Sequence, residues 1–388
     1  MTTSVLFLSH TGAVGGAELS LIDIARARRQ TSTVAMLADG PLRGRLRAEG
    51  IGVVMVAASA ALQSVRRGTR IPSLPVLGAV AQSAVRIARL ARSHDVIYAN
   101  SQKALTVAAA ASVLAQRPLV WHLHDILSPE HFSSANIRIA ITLANGRAAR
   151  VIANSIATAD AFTVAGGHRD KVRVVYNAVD AQPYEAIASE RDVRARVRAA
   201  AGLDPDATVI GVFGRLARWK GQHVVLAAIA TMPGIHAVLV GGALFGDDER
   251  YAAELRQQAA ALGVTNRVHF LGFRDDVPSL MSAVDVVVHS STAPEPFGRV
   301  IVESMLAERP VIATRAGGAL EIVEDGKTGV LVTPNDPAAL SKAIADLLAN
   351  PARAAELARN GRRCAESRFA LDVVIPALEQ HIVEAAEW

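Results

Sequence analysis

Short apolar runs alternate with longer amphipathic stretches along the first half of the chain. The runs are 4–9, 33–37, 52–56, 95–100, 119–125, 150–155 and 172–177. Most are rich in Val and Ile without polar alternation, which is typical of parallel strands covered by helices on both faces. The stretches between most of them are rich in Ala, Leu and Arg at helical spacing. This pattern predicts an α/β domain built on a parallel sheet.

The same pattern restarts near residue 208. The second set of runs is 208–214, 236–242, 267–272, 284–290, 310–314 and 329–334. Two such series predict two Rossmann-like, doubly wound α/β domains. Turn residues and charges at 177–192 mark the joint, so we predict domains 1–180 and 186–369. The amphipathic stretch 370–388 is expected to pack back on the first domain.

Length and cysteine content narrow the class of protein. A chain of 388 residues suits two domains. No apolar run reaches the roughly 18 residues that a membrane span needs, so no membrane-spanning segment is expected. The N-terminal "MTTSVLFLSHTG" has no basic leader and predicts a strand instead of a signal peptide. The single cysteine, Cys364, excludes an internal disulfide and fits a reducing cytosol, so we expect a cytoplasmic protein.

Charge is spread unevenly. Residues 1–180 carry 20 Lys and Arg against 10 Asp and Glu, whereas the remainder carries 21 against 26. A basic half favours an anionic partner, and the alternative is a solvated Arg-rich surface. Aromatic residues make up only 4% of the chain, which disfavours nucleic acid. The basic amphipathic segment 66–92 is either a surface helix or a site for anionic lipid, which leaves a peripheral position on the inner face of the membrane open.

Two loops of the first domain carry candidate chemistry. Gly15 and Gly16 precede a predicted helix, where glycines let backbone N–H groups approach a phosphate. The pair does not form the G-x-G-x-x-G pattern. His124 ends an apolar run beside Asp125 and could polarise a group or move a proton. The alternative is that His122 and His124, which strand alternation places on one face, are simply packed.

The second domain carries stronger signals. Arg215 and Lys220 lie on one loop ahead of a predicted helix, where cations oppose the helix dipole unless an anion such as a diphosphate offsets them. Glu295 lies in the loop "STAPEPFGR", and Glu303 lies about one turn into a helix expected from Val300. Their carboxylates, with N–H groups near Phe297, Gly298 and Arg299, suit a ligand with many hydroxyls.

These stretches resemble a known family. The segments "GRLARWKG", "FLGFRDDVPSLMSAVDVVVHSSTAPEPFGRVIVESMLAERPVIAT", "AGGALEIVEDGKTGVLVTPNDPAALSKAI" and "NSIATADAF…VRVVYNAVD" are similar to retaining glycosyltransferases of family 4. The resemblance is dense over 150–370 and thin towards Gly15, Gly16 and His124. It implies the GT-B fold, in which two Rossmann-like domains have a cleft between them.

The resemblance also implies roles for the candidate residues. Arg215 and Lys220 would hold the donor's diphosphate, Glu303 the ribose and Glu295 the transferred sugar. Backbone N–H groups of Phe297 and Gly298 would assist, and Phe273 and Arg274 would lie beside the base. Gly15 and Gly16 would approach the phosphates from the first domain, and His124 would bind near the sugar or the acceptor. The resemblance implies transfer by front-face attack, with retention.

The expected co-substrate is a nucleotide-diphosphate sugar with uridine or guanosine, and the acceptor is an unidentified hydroxyl compound. No metal is expected, because the two cations and the helix amides can replace one. The acidic pairs Asp247–Asp248 and Asp275–Asp276 could suggest a metal, but we interpret them as loop or helix-start carboxylates. Two alternatives remain: a nucleotide-sugar epimerase of the same fold and a non-catalytic carbohydrate-binding protein.

Overall fold

The computed structural model describes residues 3–58, 74–243 and 246–388. The chain divides into two compact units, of which unit 1 comprises 1–178 with 371–388 and unit 2 comprises 179–370. Each is an α/β unit built on one parallel sheet. Every one of the thirteen predicted apolar runs overlaps a strand.

Unit 1 holds a seven-stranded parallel sheet in the order β3-β2-β1-β4-β5-β6-β7. Its strands are β1 (Val5–Ser9), β2 (Ser32–Met36), β3 (Gly52–Met55), β4 (Val96–Ala99), β5 (Leu119–Leu123), β6 (Ala148–Ala153) and β7 (Val172–Val174). The described helices that precede unit 2 are α1 (Gly16–Ala27), α2 (Pro41–Ala48), α3 (Leu74–Ala91), α4 (Gln102–Ala115), α5 (Ser134–Arg147) and α6 (Ile156–Val164).

Unit 2 holds a six-stranded parallel sheet in the order β10-β9-β8-β11-β12-β13. Its strands are β8 (Thr208–Phe213), β9 (Ile235–Val240), β10 (Val268–Gly272), β11 (Val286–His289), β12 (Val311–Thr314) and β13 (Val330–Val332). Its helices, in the part of the chain described, are α7 (Gln182–Ser189), α8 (Val193–Ala200), α9 (Gln222–Ala230), α10 (Gly246–Ala261), α11 (Val277–Ala283), α12 (Arg299–Leu306), α13 (Ala319–Ile322), α14 (Pro337–Ala349) and α15 (Pro351–Phe369).

The sheet of unit 1 is buried on both faces, as the uninterrupted apolar runs predict. Along β1, Leu6 and Leu8 pack into one cluster of buried residues, and Val5 and Phe7 pack into another. Side chains alternate across a strand, so these clusters lie on opposite faces of the sheet. Central strands are therefore apolar at most positions, with polar exceptions such as Ser9 of β1 and His122 of β5.

The last helix, α16 (Leu371–Ala386), belongs to unit 1 although it follows unit 2 in the chain. Its buried residues share a cluster with those of α1 and β4: Val374, Ile375, Leu378, Ile382 and Ala385. Trp388, just beyond the helix, lies 5.4 Å from the Lys171 ammonium. The helix therefore covers part of one face of the sheet of unit 1.

The helix α3 contradicts the prediction that no segment is long and apolar enough to span a membrane. It has 18 residues and a mean hydropathy of 1.2, enough by length and composition. No uninterrupted apolar run exists here because Arg86 and Arg89 lie in the helix. Its buried residues, Ile87 among them, join the core of unit 1. About a third of the helix is buried. The first part of the basic segment, 66–73, lies outside the described residues.

Candidate functional site

The winding of the sheet of unit 2 reverses between β8 and β11, which are hydrogen-bonded neighbours although they are not consecutive. The loops that follow these parallel strands start from the same edge of the sheet. In open α/β sheets, ligands bind at this edge where the strand order reverses. The loop after β8 carries Arg215 and Lys220, and the loop after β11 carries Glu295. The topology therefore places all three at the expected position for a ligand.

Lys220 and Glu295 form a buried ion pair. The Lys220 ammonium lies 2.8 Å from both carboxylate oxygens, and Glu295 is only 7% exposed. The oxygen Oε2 also accepts a hydrogen bond of 2.8 Å from the Ser291 hydroxyl and lies 3.1 Å from Nε2 of His289. Both oxygens of the carboxylate thus have hydrogen-bond partners, as a buried charge requires.

The surroundings keep the Glu295 carboxyl ionised. Burial by itself would raise its pKa, because a charged group loses its hydration. The neighbouring Lys220 ammonium and the hydrogen bond from His289 act in the opposite direction and hold the pKa of Glu295 well below its usual range. At neutral pH this residue is therefore a fixed negative charge that accepts hydrogen bonds.

Two glycines bring the loops of this site together. Gly221 has a φ of 71°, and a Cβ there would lie 1.9 Å from the carbonyl oxygen of Ser290. Gly317 has a φ of 61°, and a Cβ there would lie 2.3 Å from the carbonyl oxygen of Glu295. That oxygen accepts a hydrogen bond of 2.7 Å from the Gly318 amide. Only glycine adopts such a backbone without strain and allows this close approach.

Arg215 has an anionic partner within the protein. Its guanidinium lies 3.6 Å from the buried Asp248 carboxylate, in the first turn of α10. The anions that offset Arg215 and Lys220 in the structure are thus Asp248 and Glu295, so the position of the two cations ahead of a helix does not by itself require a diphosphate. Arg215 also lines a pocket of about 410 Å³ with Ala217, Arg218, Trp219, Asp247, Asp248, Arg250, Tyr251 and Glu254.

The helix α12 carries the second glutamate. It begins at Arg299, one residue before the expected start, and Gly298 caps it with a φ of 104°. Glu303 is buried and accepts a hydrogen bond of 2.8 Å from Nε of Arg299, one turn earlier. The ring of Phe297 packs on Phe369 with the centroids 5.7 Å apart. The Phe297 side chain thus belongs to the core, so a ligand contact from this residue would use its backbone.

Phe273 and Arg274 directly follow β10, as expected. Phe273 is 53% exposed, which is unusual for so large an apolar side chain. The Arg274 guanidinium forms two hydrogen bonds of 2.8 and 2.7 Å with the Asp276 carboxylate. This pairing lowers the pKa of Asp276. Asp276 is therefore an ion-paired residue at the start of α11, consistent with a loop carboxylate.

In unit 1, Gly15 and Gly16 lie at the start of α1. Gly15 caps the helix, and its amide donates a hydrogen bond of 3.1 Å to the carboxylate of Glu18. This amide, predicted to approach a phosphate, thus already has an acceptor. Glu18 is buried, and burial raises its pKa to about 7, assisted by the charge of Asp125. Near neutral pH Glu18 is therefore a mixture of neutral and ionised forms.

His124 lies at the end of β5 and is held by its surroundings. Its Nε2 lies 3.0 Å from the amide oxygen of Asn100, whose own amide nitrogen donates to the carbonyl of Ala17 in α1. The rings of His122 and His124 lie 3.8 Å apart, on one face as predicted. Burial lowers the pKa of His124 to about 4, so the imidazole is neutral at pH 7. A neutral imidazole can donate or accept a hydrogen bond but brings no charge to the site.

Sequence reasoning missed three residues of these clusters: His289, Ser291 and Asn100. Each lies at or just beyond the carboxyl end of a strand, β11 or β4. A polar residue in this position was the same signal that identified His124, so the rule could have found His289 and Asn100. Within the described residues, no group of three or more His, Cys, Asp or Glu side chains is arranged so that it could bind a metal ion.

Comparison with known proteins agrees with the fold. Residues 193–364 match the family described as glycosyl transferases group 1, and residues 14–183 match glycosyltransferase family 4. The Anabaena protein HepE, solved with UDP and glucose and with UDP-glucose, is 43% identical. The match covers 98% of this chain and 99% of that chain, with a TM-score of 0.89. The protein is a glycosyltransferase with the GT-B fold. It belongs to family 4.

Curated relatives match over a smaller share of this chain and of their own length. The lipopolysaccharide core biosynthesis glycosyltransferase LpsE of Rhizobium meliloti is 33% identical, over 47% of this chain and 52% of its own length. A D-inositol 3-phosphate glycosyltransferase of Corynebacterium urealyticum is 37% identical, over 47% of this chain and 44% of its own length. The chain thus spans about half the length of the curated relatives it matches.

Proposed function

We propose that this protein transfers a hexosyl group from a UDP-sugar, with UDP-glucose as the first donor to test, to a hydroxyl acceptor with retention of configuration. The observation that carries the proposal is the Lys220–Glu295 pair at the reversal point of the sheet. The likeness to HepE, which was solved with UDP and with UDP-glucose, supports the choice of donor. The acceptor's oxygen forms the new glycosidic bond, the bond to the diphosphate breaks, and the acceptor's proton leaves with the diphosphate.

In this proposal, each charged group acts on a different part of the donor. Lys220 and Arg215 bind the diphosphate and stabilise the charge that grows on it as the sugar leaves. Glu303 accepts hydrogen bonds from the ribose, and Glu295 accepts them from the sugar. Both cations are paired with carboxylates in the protein, so binding exchanges one anionic partner for another. Transfer without a metal follows, because the two cations supply the positive charge that a metal would supply.

One experiment tests the three parts of the proposal. The protein is incubated with UDP-glucose, or with GDP-mannose as the matched alternative, and a panel of hydroxyl acceptors in EDTA. We expect UDP release and an α-linked product, read from the anomeric proton coupling by NMR. A β-linked product would contradict retention. Activity that requires added magnesium or manganese would contradict metal independence, and activity with GDP-mannose alone would contradict the donor.

We also propose a position at the cytoplasmic face of a membrane, supported by the charge of unit 1. The outer face of α3 exposes Leu74, Leu77 and Val85, and Arg86 and Arg89 are exposed on the same helix. Apolar and basic side chains together favour the surface of anionic lipid. We expect sedimentation with vesicles containing phosphatidylglycerol and none with phosphatidylcholine alone. The double substitution R86Q/R89Q should weaken it, and equal binding to both lipids would contradict the proposal.

A further inference from the structure

The imidazole of His289 lies in a hydrogen-bonded cluster that also contains one cation, Lys220, and one anion, Glu295. His289 is 6% exposed, and its Nε2 lies 3.1 Å from the carboxylate of Glu295 and 3.1 Å from the hydroxyl of Ser291. An ionised carboxylate can only accept a hydrogen bond, so Nε2 carries the proton. Nδ1 is then an unprotonated nitrogen, and within the described residues it has no hydrogen-bond partner.

Few of the described residues contact the His289 imidazole or its partner Glu295 through hydrogen bonds. The loop after β11 brings Ser291 and Glu295, and the turn after β8 brings Lys220 through its contact with Glu295. On the neighbouring strand β12, the register partner of His289 is Ala313, which carries no charge. In the described part of the chain, Glu295 and Lys220 are thus the charged groups in this hydrogen-bonded cluster.

A ligand diphosphate would compete with Glu295 for the same ammonium. The Lys220 ammonium is engaged with both carboxylate oxygens, so the attraction of a diphosphate that carries two negative charges draws it away from them. If the ammonium moves towards the diphosphate, Glu295 is left buried with a weakened counter-charge, which is costly in free energy. Histidine is the side chain whose charge changes most readily near neutral pH, and the imidazole of His289 is already in contact with that carboxylate.

We infer that binding of the nucleotide-sugar diphosphate moves Lys220 away from Glu295 and that His289 takes up one proton from solvent, at Nδ1, in compensation. The lone pair of Nδ1 forms the new N–H bond, and no other bond forms or breaks. His289 is thus a positioning residue, which keeps Glu295 ionised and in place while Lys220 serves the donor. This inference rests on the proposed function, because it requires the donor to bind beside Lys220.

Proton uptake on binding can be measured directly. UDP-glucose is titrated into the full-length protein by calorimetry at pH 7.5, in phosphate and in Tris, which differ in ionisation enthalpy. UDP-glucose is preferred to UDP, because a terminal phosphate itself titrates near pH 6. We expect the difference in heat between the buffers to correspond to uptake of close to one proton. Affinity should weaken by up to tenfold per pH unit where uptake is complete.

Two variants make the test specific. H289Q keeps an N–H donor for Glu295 but cannot take up a proton, so it should bind with no uptake and little dependence on pH. H236Q is the matched control, because His236 lies on β9 beside His269 and outside this cluster. It should behave as the unsubstituted protein does.

The outcomes separate the inference from the proposed function. Binding without proton uptake, or uptake that persists in H289Q, would overturn the inference and leave the donor assignment intact. A protein that does not bind UDP-glucose at all would overturn the donor assignment, and the inference with it.

Discussion

The two cations predicted to bind a diphosphate, Arg215 and Lys220, are each paired with a carboxylate inside unit 2. Lys220 contacts both oxygens of Glu295, and Arg215 lies 3.6 Å from Asp248. The net binding free energy of a diphosphate is therefore smaller than it would be at unpaired cations. Part of its attraction to the two cations only replaces their attraction to the carboxylates. In return, the carboxylates keep both cations ordered at this edge of the sheet before the ligand arrives, even though Lys220 then shifts towards it, which reduces the ordering cost of binding.

The two glutamates should respond differently to loss of charge. We expect E303Q to weaken both UDP and UDP-glucose, because Glu303 is predicted to hold the ribose that both ligands share. Each charged hydrogen bond lost should cost about 1.5–3 kcal/mol. We expect E295Q to bind UDP at least as tightly, because Lys220 loses its paired carboxylate, and to turn over slowly. Calorimetry and initial rates measure both, with circular dichroism as the check on folding. The reverse pattern would show that the two roles are exchanged.

Glu18 should make unit 1 less stable as the pH rises. Burial raises its pKa in the folded protein to about 7, above the usual 4.5. The folded state therefore holds this proton more tightly than the unfolded state, and stability is lost as the pH rises from the unfolded pKa through the folded pKa. Between pH 5 and pH 8 the loss should be about 2 kcal/mol, from the linkage between proton binding and unfolding.

The variant E18Q cannot ionise and provides the comparison for this pH effect. Urea unfolding of both proteins at pH 5 and pH 8 gives the four free energies needed. The unsubstituted protein should lose stability relative to E18Q at the higher pH. An unchanged difference between the two proteins at the two pH values would contradict a raised pKa for Glu18.

At the scale of elements, the strands could be predicted and the contacts between loops could not. The thirteen strands of the described residues follow from apolar runs rich in Val and Ile, because burial on both faces leaves a continuous apolar signal. The start of α12 was predicted to within one residue, from Pro296 and Gly298. The pairing of Lys220 with Glu295 was not predicted, since these residues are 75 positions apart. No local pattern records which distant side chains share a hydrogen bond.

A methyl group at Gly317 should displace the loop that holds Glu295. The variant G317A places a Cβ 2.3 Å from the Glu295 carbonyl oxygen, so the backbone of this loop must shift. A displacement of about 1 Å at a reacting group can reduce turnover by about 100-fold. We therefore expect a loss of about 10- to 100-fold in the rate of sugar transfer.

The matched control for this variant is G326A. Gly326 also has a positive φ, of 70°, but a Cβ there meets only the end of the Arg353 side chain, at 3.8 Å. Both variants should lose about 1–2 kcal/mol of stability from the left-handed backbone. Only G317A should lose turnover beyond what its stability explains. Equal rates for the two variants would show that the Glu295 loop tolerates the shift.

At the scale of the whole molecule, unit 1 is assembled from two separate parts of the chain. Its sheet is complete by residue 174, but α16 joins it only after all of unit 2. The apolar face of α16 packs in the cluster that contains Val5, Phe7 and Tyr98. The amphipathic pattern of 370–388 predicts that one side of the helix is buried. The pattern cannot identify the residues that pack against that side, because they are remote in the sequence.

Deletion of α16 should destabilise unit 1 selectively. A chain ending at Ala370 loses the buried side chains of that helix, with a transfer free energy on the order of 10 kcal/mol. This is comparable to the whole stability of a typical domain. Calorimetric unfolding should lose the transition of unit 1, while a transition that UDP shifts upwards remains. A chain ending at Ala386 is the control and should keep both. Two unchanged transitions in the shorter chain would contradict a structural role for α16.

The ends of unit 2 meet, and this has a consequence for synthesis. Val179 bridges to Ala370, and its amide donates a hydrogen bond of 2.8 Å to the carbonyl of Phe369. Unit 2 can therefore close on itself as soon as Phe369 and Ala370 have left the ribosome. Domains made first usually finish folding first during translation. Here we expect the reverse order, because part of one apolar face of the first unit stays uncovered until α16 emerges.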